Sequence, residues 1–464
     1  MKIKIQFPVK NPLFEAACRI VEVLRSHSKK AFFAGGCVRD MILGRTPHDI
    51  DITTSATPEE IGSMFPKTIA LGVSFGVITI LQDGFAFETA TLREEREYMD
   101  GRRPETVLYT DDEKLDVQRR DFTVNGMLYD PLAEELLDYV GGMEDLHRGI
   151  IRTIGNPAQR FSEDYLRILR AVRFSARFGF PIEPETEKMM AKYAGKLSLL
   201  SKERIRDELE KMLLGPRASD AFRLMLKTGI LKTILPEAAA LDGVRQDPRF
   251  HPEGDVFTHT MLMLDRMCHP DKELAWSVLL HDVGKPAAFT EDERGIHFYS
   301  HEKIGGEMAE AILTRLRCPT ALIRNVSMIV ANHMKFASVD RMRRATWLKM
   351  MDSPTFASEM ELNRVDCASC HGKMDGYILM LDRYIELADA PAVPPLPVNG
   401  HDLLELGIPP GKELGKLLSL LKDEFLENRL KTREEMLEFV REKMRKQETL
   451  CGKGHSCRSP KADR

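Results

Sequence analysis

No apolar run in this 464-residue sequence approaches the ~18 residues needed to cross a bilayer, so a membrane-spanning chain is excluded. The eight cysteines lack paired spacing, so reduced thiols are expected rather than a disulfide framework. The opening residues break their apolar positions with lysine, proline and asparagine and offer no signal-peptide core, which points to the cytoplasm. Neither sign of charge dominates. Lys+Arg 67 against Asp+Glu 71 gives a net charge of −4, so any polyanion site must be a local patch. What is present is 43% hydrophobic and 30% charged residues, enough for several soluble cores in roughly three or four domains.

Up to about residue 155 the pattern is mixed α/β. Short β-branched and aromatic runs cover 31–34, 48–53, 77–81, 85–89 and 136–140. Asp83-Gly84 between two of them predicts a tight hairpin turn. This reads as an α+β head, an antiparallel or mixed sheet with helices on one side. From Gln159 the period becomes helical, with helices predicted over 158–178, 184–197, 202–214 and 217–228. Four segments follow: 1–155 a head, 156–240 a helical neck, 241–385 a histidine-bearing helical domain, and 386–464 a helical tail. Prolines at 391–397 predict a stiff linker, and the basic end from Cys451 predicts disorder.

Asp49 and Asp51 stand two apart in a strand-like run, so their carboxylates leave the same face. Paired hard oxygen ligands suit Mg²⁺. Gly35-Gly36 follows a strand, with Arg39 where a following helix would begin. Backbone N–H groups and a guanidinium there can cradle a triphosphate. Downstream, Arg119-Arg120-Asp121 and Asn125 gather two cations, an acceptor and an amide. On the predicted helix 158–178, Glu163, Arg167 and Arg170 share a face, and Asp164 with Arg167 can hydrogen-bond a nucleobase edge.

The runs GGCVRD (35–40), DID (49–51), RRDFTVNG (119–126) and EDYLRILRAVRF (163–174) resemble class II tRNA nucleotidyltransferases. These are the CCA-adding enzymes and the related bacterial poly(A) polymerases. The resemblance implies Mg²⁺ on the catalytic Asp49 and Asp51. It assigns nucleotide binding to Gly35, Gly36, Arg39, Arg120, Asp121, Asn125, Asp164, Arg167 and Arg170. Within that set Asp121 contacts the ribose, and Asp164 with Arg167 chooses ATP or CTP. Thr91–Pro104, dense in charge and without an apolar period, predicts a mobile loop, and it resembles the family loop that switches the pocket from CTP to ATP.

In the 241–385 segment, helical runs carry His259, His281-Asp282, His301, His333 and Asp366. Imidazole with carboxylate suits a divalent transition metal such as Ni²⁺, Mn²⁺, Co²⁺, Fe²⁺ or Zn²⁺, which makes a hydrolytic nucleophile of bound water. The set resembles the HD phosphohydrolases. Their ligands map to His259, His281, Asp282 and Asp366, with His301 and His333 as additional histidines. Cys367-Ala368-Ser369-Cys370-His371 spells a haem-attachment motif, which an unexported chain has no use for.

The resemblance therefore implies template-independent addition of C and A to tRNA 3′ ends from CTP and ATP. The neck and tail would grip the acceptor and T-arm, in a monomer or homodimer away from any membrane, with a second hydrolytic activity in the HD domain. Two alternatives stand beside it. One keeps the chemistry but adds A only or makes poly(A); the other is an HD hydrolase whose head only binds RNA.

Overall fold

The computed structural model describes residues 2–5, 7, 11–69, 76–98, 104–387 and 393–452. Ten strands lie in the first third: β1 (Lys2–Lys4), β2 (Ala31–Ala34), β3 (Asp51–Thr54), β4 (Thr68–Ile69), β5 (Val77–Gln82), β6 (Phe85–Thr91), β7 (Arg93–Tyr98), β8 (Pro104–Tyr109), β9 (Met127–Asp130) and β10 (Glu135–Asp138). Eight of them form one mixed sheet in the order β1-β10-β9-β2-β3-β6-β5-β4. Its pairings are antiparallel except β3 with β6. The Asp83-Gly84 turn joins β5 to β6 with both residues at positive φ, as the sequence predicts for a tight hairpin.

The Pro12–Ser26 helix starts where Asn11 caps Phe14 N at 2.8 Å, and Pro12 presets the first turn. Its Ala16, Ala17, Ile20, Val21 and Leu24 form one buried stripe. Alternation does the same on β5 and β6, burying Ile78, Ile80 and Phe87, whereas β2 with Phe33 is buried on both faces.

The structure departs from the sequence reading in three places. Thr91–Pro104 was expected as a loop, but β7 and β8 pair as a two-stranded ribbon, Arg93 opposite Tyr109 and Glu95 opposite Val107. Ladder hydrogen bonds suffice there without an apolar period. The middle of that stretch, 99–103, lies outside the described residues, as do 388–392 of the linker and 453–464 of the basic end. The second departure is in the helix predicted over 158–178, which is two helices, Pro157–Glu163 and Leu166–Phe178. Asp164 is extended (φ −150°, ψ 107°), and its Oδ1 accepts from Leu166 N at 3.0 Å, so its side chain starts the second helix and ends the first. Third, a ribbon of Phe289–Asp292 and Gly295–Phe298 interrupts the helical middle.

Contacts divide the chain into two compact units, residues 1–330 and 331–464. The first holds the head, the neck helices (Leu166–Phe178, Lys202–Leu213, Ala218–Lys227) and the helices Val256–Arg266, Lys272–Leu280 and His301–Arg315. In the second, Phe336, Trp347, Leu348, Met360, Met380 and Leu426 form one apolar core, and Val398, Leu403, Leu421, Met436 and Val440 form another.

Candidate functional site

Strand register builds the head site. Ala34 on β2 pairs with Asp51 on β3, so the glycine turn that follows β2 emerges beside the carboxylates. Gly35 has φ +73°, a conformation that L side chains rarely adopt. A Cβ there would stand 3.8 Å from Asp51 Oδ2 and 3.6 Å from Arg120 Nη1, which places turn, carboxylate and guanidinium around one cleft. Asp51 opens β3, but Asp49 precedes the strand, so the strand expected over 48–53 is shorter and the pair does not share a strand face as their spacing predicts. The parallel pair Ile52–Thr89 brings Glu88 alongside. Asp51 keeps solvent-exposed surface, yet its carboxyl is pushed up to about 6, first by desolvation in the cleft and then by the charges of Asp49 and Glu88. Carboxylate oxygens of this kind suit a hard divalent cation. Glu88 was not found from the sequence; its place depends on β3 and β6 running parallel.

Asp116 was also missed. It is fully buried and accepts from Arg119 (Nη2 2.6 Å) and Arg120 (Nη2 2.8 Å). Burial alone would raise its pKa, but the two guanidiniums outweigh that and hold it below the usual range. Arg120 is thereby aimed with Nη1 toward the Gly35 turn. Arg39 is buried instead of facing solvent. It donates to Asn125 Oδ1 at 2.5 Å and to Asp40 Oδ1 at 2.8 and 2.9 Å, and its guanidinium lies 4.5 Å from the Phe178 ring centre. Asn125 Nδ2 donates to Asp121 Oδ1 at 3.3 Å, and Arg170 Nε donates to Asp121 Oδ2 at 2.7 Å. Arg39, Asn125, Asp121 and Arg170 thus form a continuous polar chain from the glycine turn to the neck.

Across the helix break, Arg167 still reaches Glu163 at 2.5 Å and donates to Arg119 O at 3.1 Å, tying the neck to the RRD loop. Asp164 accepts from Arg204 at 2.7 Å.

A second cluster lies in the same unit. His259 is fully buried on the Val256–Arg266 helix, which Asp255 caps at Thr258 N. His281 ends the Lys272–Leu280 helix and Asp282 follows it. His301 begins the His301–Arg315 helix. A Cβ on Gly284 would meet His301 O at 2.3 Å and Gly305 N at 2.7 Å, so only glycine lets the Asp282 turn pack directly on that helix. His281 Nε2 lies 3.0 Å from Asp282 Oδ2, and His301 Nε2 lies 3.4 Å from Asp282 Oδ1. Separations near 3 Å are those of neighbouring ligands on a divalent ion with bonds of about 2.1 Å. Burial acts to raise the Asp282 pKa, but His281 and Lys285 hold it well below the usual range. Lys285, buried and missed from the sequence, forms an ion pair with Asp282 at 2.7 Å and donates to Gln246 Oε1 at 2.6 Å. The mixed nitrogen and oxygen donors fit a transition metal. In the second unit, His333 is buried at the start of a 3₁₀ segment, and Asp366 is half-buried near the end of the Phe356–Ser369 helix. Nearby, burial pushes the Cys367 thiol up to about 11.

Comparison with known proteins gives three family matches. They are described as "Poly A polymerase head domain" over 31–152, "Probable RNA and SrmB- binding site of polymerase A" over 179–241, and "HD domain" over 256–366. A CCA-adding enzyme of Anoxybacillus flavithermus is 41% identical over 229 residues, 49% of this chain and 57% of that protein. With that relative, therefore, the chain matches little more than half its length. A CCA-adding enzyme of Lactobacillus helveticus is 31% identical over 432 residues, 92% of this chain and 96% of that one. The crystal structure of the Bacillus stearothermophilus CCA-adding enzyme in complex with CTP superposes with a TM-score of 0.72 at 27% identity, covering 95% of this chain and 100% of that one. On the full-length match to the Lactobacillus helveticus enzyme, the chain belongs to the CCA-adding enzyme family of tRNA nucleotidyltransferases.

Proposed function

We propose that this chain adds C and A to the 3′ end of tRNA from CTP and ATP, without a nucleic-acid template, and releases pyrophosphate. The observation that carries this is the cleft where Asp51 and Arg120 face the Gly35 turn, with Asp49 and Glu88 close enough for their charges to act on Asp51. In the reaction the tRNA 3′-hydroxyl oxygen bonds to the α-phosphorus. The bond from that phosphorus to the β-phosphate breaks, pyrophosphate departs, and the hydroxyl proton passes to solvent.

Divalent-metal dependence follows from the two domain types; the identity of each ion is part of the proposal. Mg²⁺ held by Asp49, Asp51 and Glu88 would offset charge at the reacting phosphate. Gly35 and Gly36 let the backbone approach the triphosphate, and Arg120, aimed by Asp116, pairs with its oxygens. Asp121 holds the ribose. Asp164 accepts from the exocyclic amine of C or A while Arg167 donates to the ring, with Arg39, Asn125 and Arg170 keeping these groups in register.

Residues 1–155 are then the catalytic head and 156–240 the selecting neck. The tail, 386–464, with the neck holds the acceptor and T-arm through phosphates and shape. Residues 241–385 form a phosphohydrolase whose transition metal (Ni²⁺, Mn²⁺, Co²⁺, Fe²⁺ or Zn²⁺) is held by His259, His281, Asp282 and Asp366, with His301 and His333 as additional ligands. The setting is the cytoplasm; among the described residues no helix is long and apolar enough to cross a membrane.

The test is incorporation of labelled CTP into a tRNA transcript lacking CCA, by the unaltered chain and by Asp49→Asn with Asp51→Asn. Loss of incorporation in the double variant, with its melting temperature preserved, supports the assignment. Equal incorporation by both overturns it.

A further inference from the structure

Each of the three histidines gathered in the first unit has an oxygen close to its Nδ1. His281 Nδ1 lies 2.8 Å from Val278 O, and His301 Nδ1 lies 2.8 Å from Phe298 O. A carbonyl oxygen only accepts, so each ring carries a proton on Nδ1 and presents the lone pair of Nε2. His259 meets a different oxygen. Its Nδ1 faces Glu253 Oε1 at 2.6 Å, and the same oxygen lies 2.9 Å from His251 Nδ1. The two imidazoles meet edge to face, ring centres 4.9 Å apart.

Glu253 sits in the turn before the Val256–Arg266 helix, its side chain only 8% exposed. A carboxylate oxygen that faces two imidazole Nδ1 atoms acts as their acceptor, as a carbonyl does, and so selects the same tautomer. A carboxylate behind a ligating imidazole also fixes the ring's rotation and strengthens its donor nitrogen.

We propose that Glu253 is the positioning residue of the HD metal centre: it holds His259 as the Nδ1–H tautomer and so offers Nε2 to a divalent transition metal. His251 is fixed in the same tautomer beside it. This rests on the reading of His259, His281 and Asp282 as metal ligands. A Glu253 that merely fastened its turn to the helix would leave metal affinity alone, so the affinity is what must be read.

The full-length chain, stripped with EDTA and returned to excess Mg²⁺ to occupy the oxygen-ligand head site, is titrated with Co²⁺ by calorimetry and visible absorption. The unaltered protein is compared with Glu253→Gln, Glu253→Ala and His259→Ala, with melting temperature as the check on folding. The Glu253 variants are expected to bind Co²⁺ roughly 10–100-fold more weakly at unchanged stoichiometry, and His259→Ala at least as weakly. If His259→Ala loses Co²⁺ while both Glu253 variants bind as tightly as the unaltered chain, the positioning role is overturned and the metal centre stands. If His259→Ala itself binds normally, the metal centre falls and the proposal with it. A stoichiometry that drops by one ion in Glu253→Ala would make Glu253 a ligand, which also overturns the positioning role. Should the variants unfold, ¹⁵N-histidine NMR of the metal-free unaltered chain decides: an Nδ1–H resonance for His259 supports the proposal, and an Nε2–H tautomer overturns it.

Discussion

Arg170, on the Leu166–Phe178 helix of the neck, donates Nε to Asp121 Oδ2 at 2.7 Å, with Nη2 ion-paired to the same oxygen at 2.7 Å, linking residues 49 apart in sequence. Burial acts to raise the pKa of Asp121, but Arg170 outweighs it and holds the carboxyl below the usual range. The contact closes the polar chain that begins at Arg39, so the helix carrying Arg167 is referenced to the glycine turn. Arg170→Ala leaves Asp121 short of its charged donor in a buried site. The expected outcome is a loss of about 1–3 kcal/mol in stability and roughly 100-fold in CTP incorporation. Arg170→Lys, which keeps the charge and loses the planar fork, falls between. Thermal melts and steady-state incorporation check both; an unchanged rate in Arg170→Ala would cut the neck out of substrate positioning.

Glu88 tests the three-carboxylate cleft. Glu88→Gln keeps size and strand geometry and removes one charge beside Asp51. Incorporation is expected to fall at least about 100-fold, with the Mg²⁺ concentration needed for half-maximal rate rising. Wild-type behaviour in a Mg²⁺ titration would leave Glu88 outside the site.

The same crowding predicts a trade of stability for function at Asp51. Its folded-state pKa is raised to about 6. A carboxyl raised in this way costs stability wherever it is ionised in the fold, fully above pH 6, and the cost disappears as the pH falls through the unfolded value toward 4. Asp51→Asn should therefore raise the melting temperature of the metal-free chain at pH 7.5, by an amount reduced by the solvent around this exposed group, and leave it unchanged near pH 4. A lower melting temperature at pH 7.5 would contradict the raised pKa.

Gly284 predicts a linked loss of packing and metal. A Cβ there meets His301 O at 2.3 Å and Gly305 N at 2.7 Å, both backbone atoms with little room to move. Gly284→Ala is expected to cost about 1–3 kcal/mol and to weaken Co²⁺ binding by displacing His301 from Asp282. Calorimetry and melting on one preparation read both effects.

Much of the head was legible because its chemistry is local in sequence. The glycine turn after β2 and the Asp83-Gly84 hairpin each lie within a few residues, where spacing and backbone preference decide the geometry. What escaped depends on pairing at a distance. Glu88 gains its place from the parallel register Ile52–Thr89, and Asp116 from two arginines that a sequence reader assigns to phosphate. The helix break at Asp164 hid because the apolar period runs through it and Arg167 still meets Glu163. Glu253 was silent for a similar reason: a lone acid in a turn acquires meaning only when His251 and His259 are seen on the same oxygen.

The measurement that bears most directly on the central claim offers the chain, with Mg²⁺, CTP and ATP, two tRNA transcripts, one lacking CCA and one ending in CC, and sequences the products. The account predicts CCA added to the first, a single A added to the second, and no extension beyond A. Extension of the CC-ended transcript alone, or a long A tail on any RNA, would contradict it.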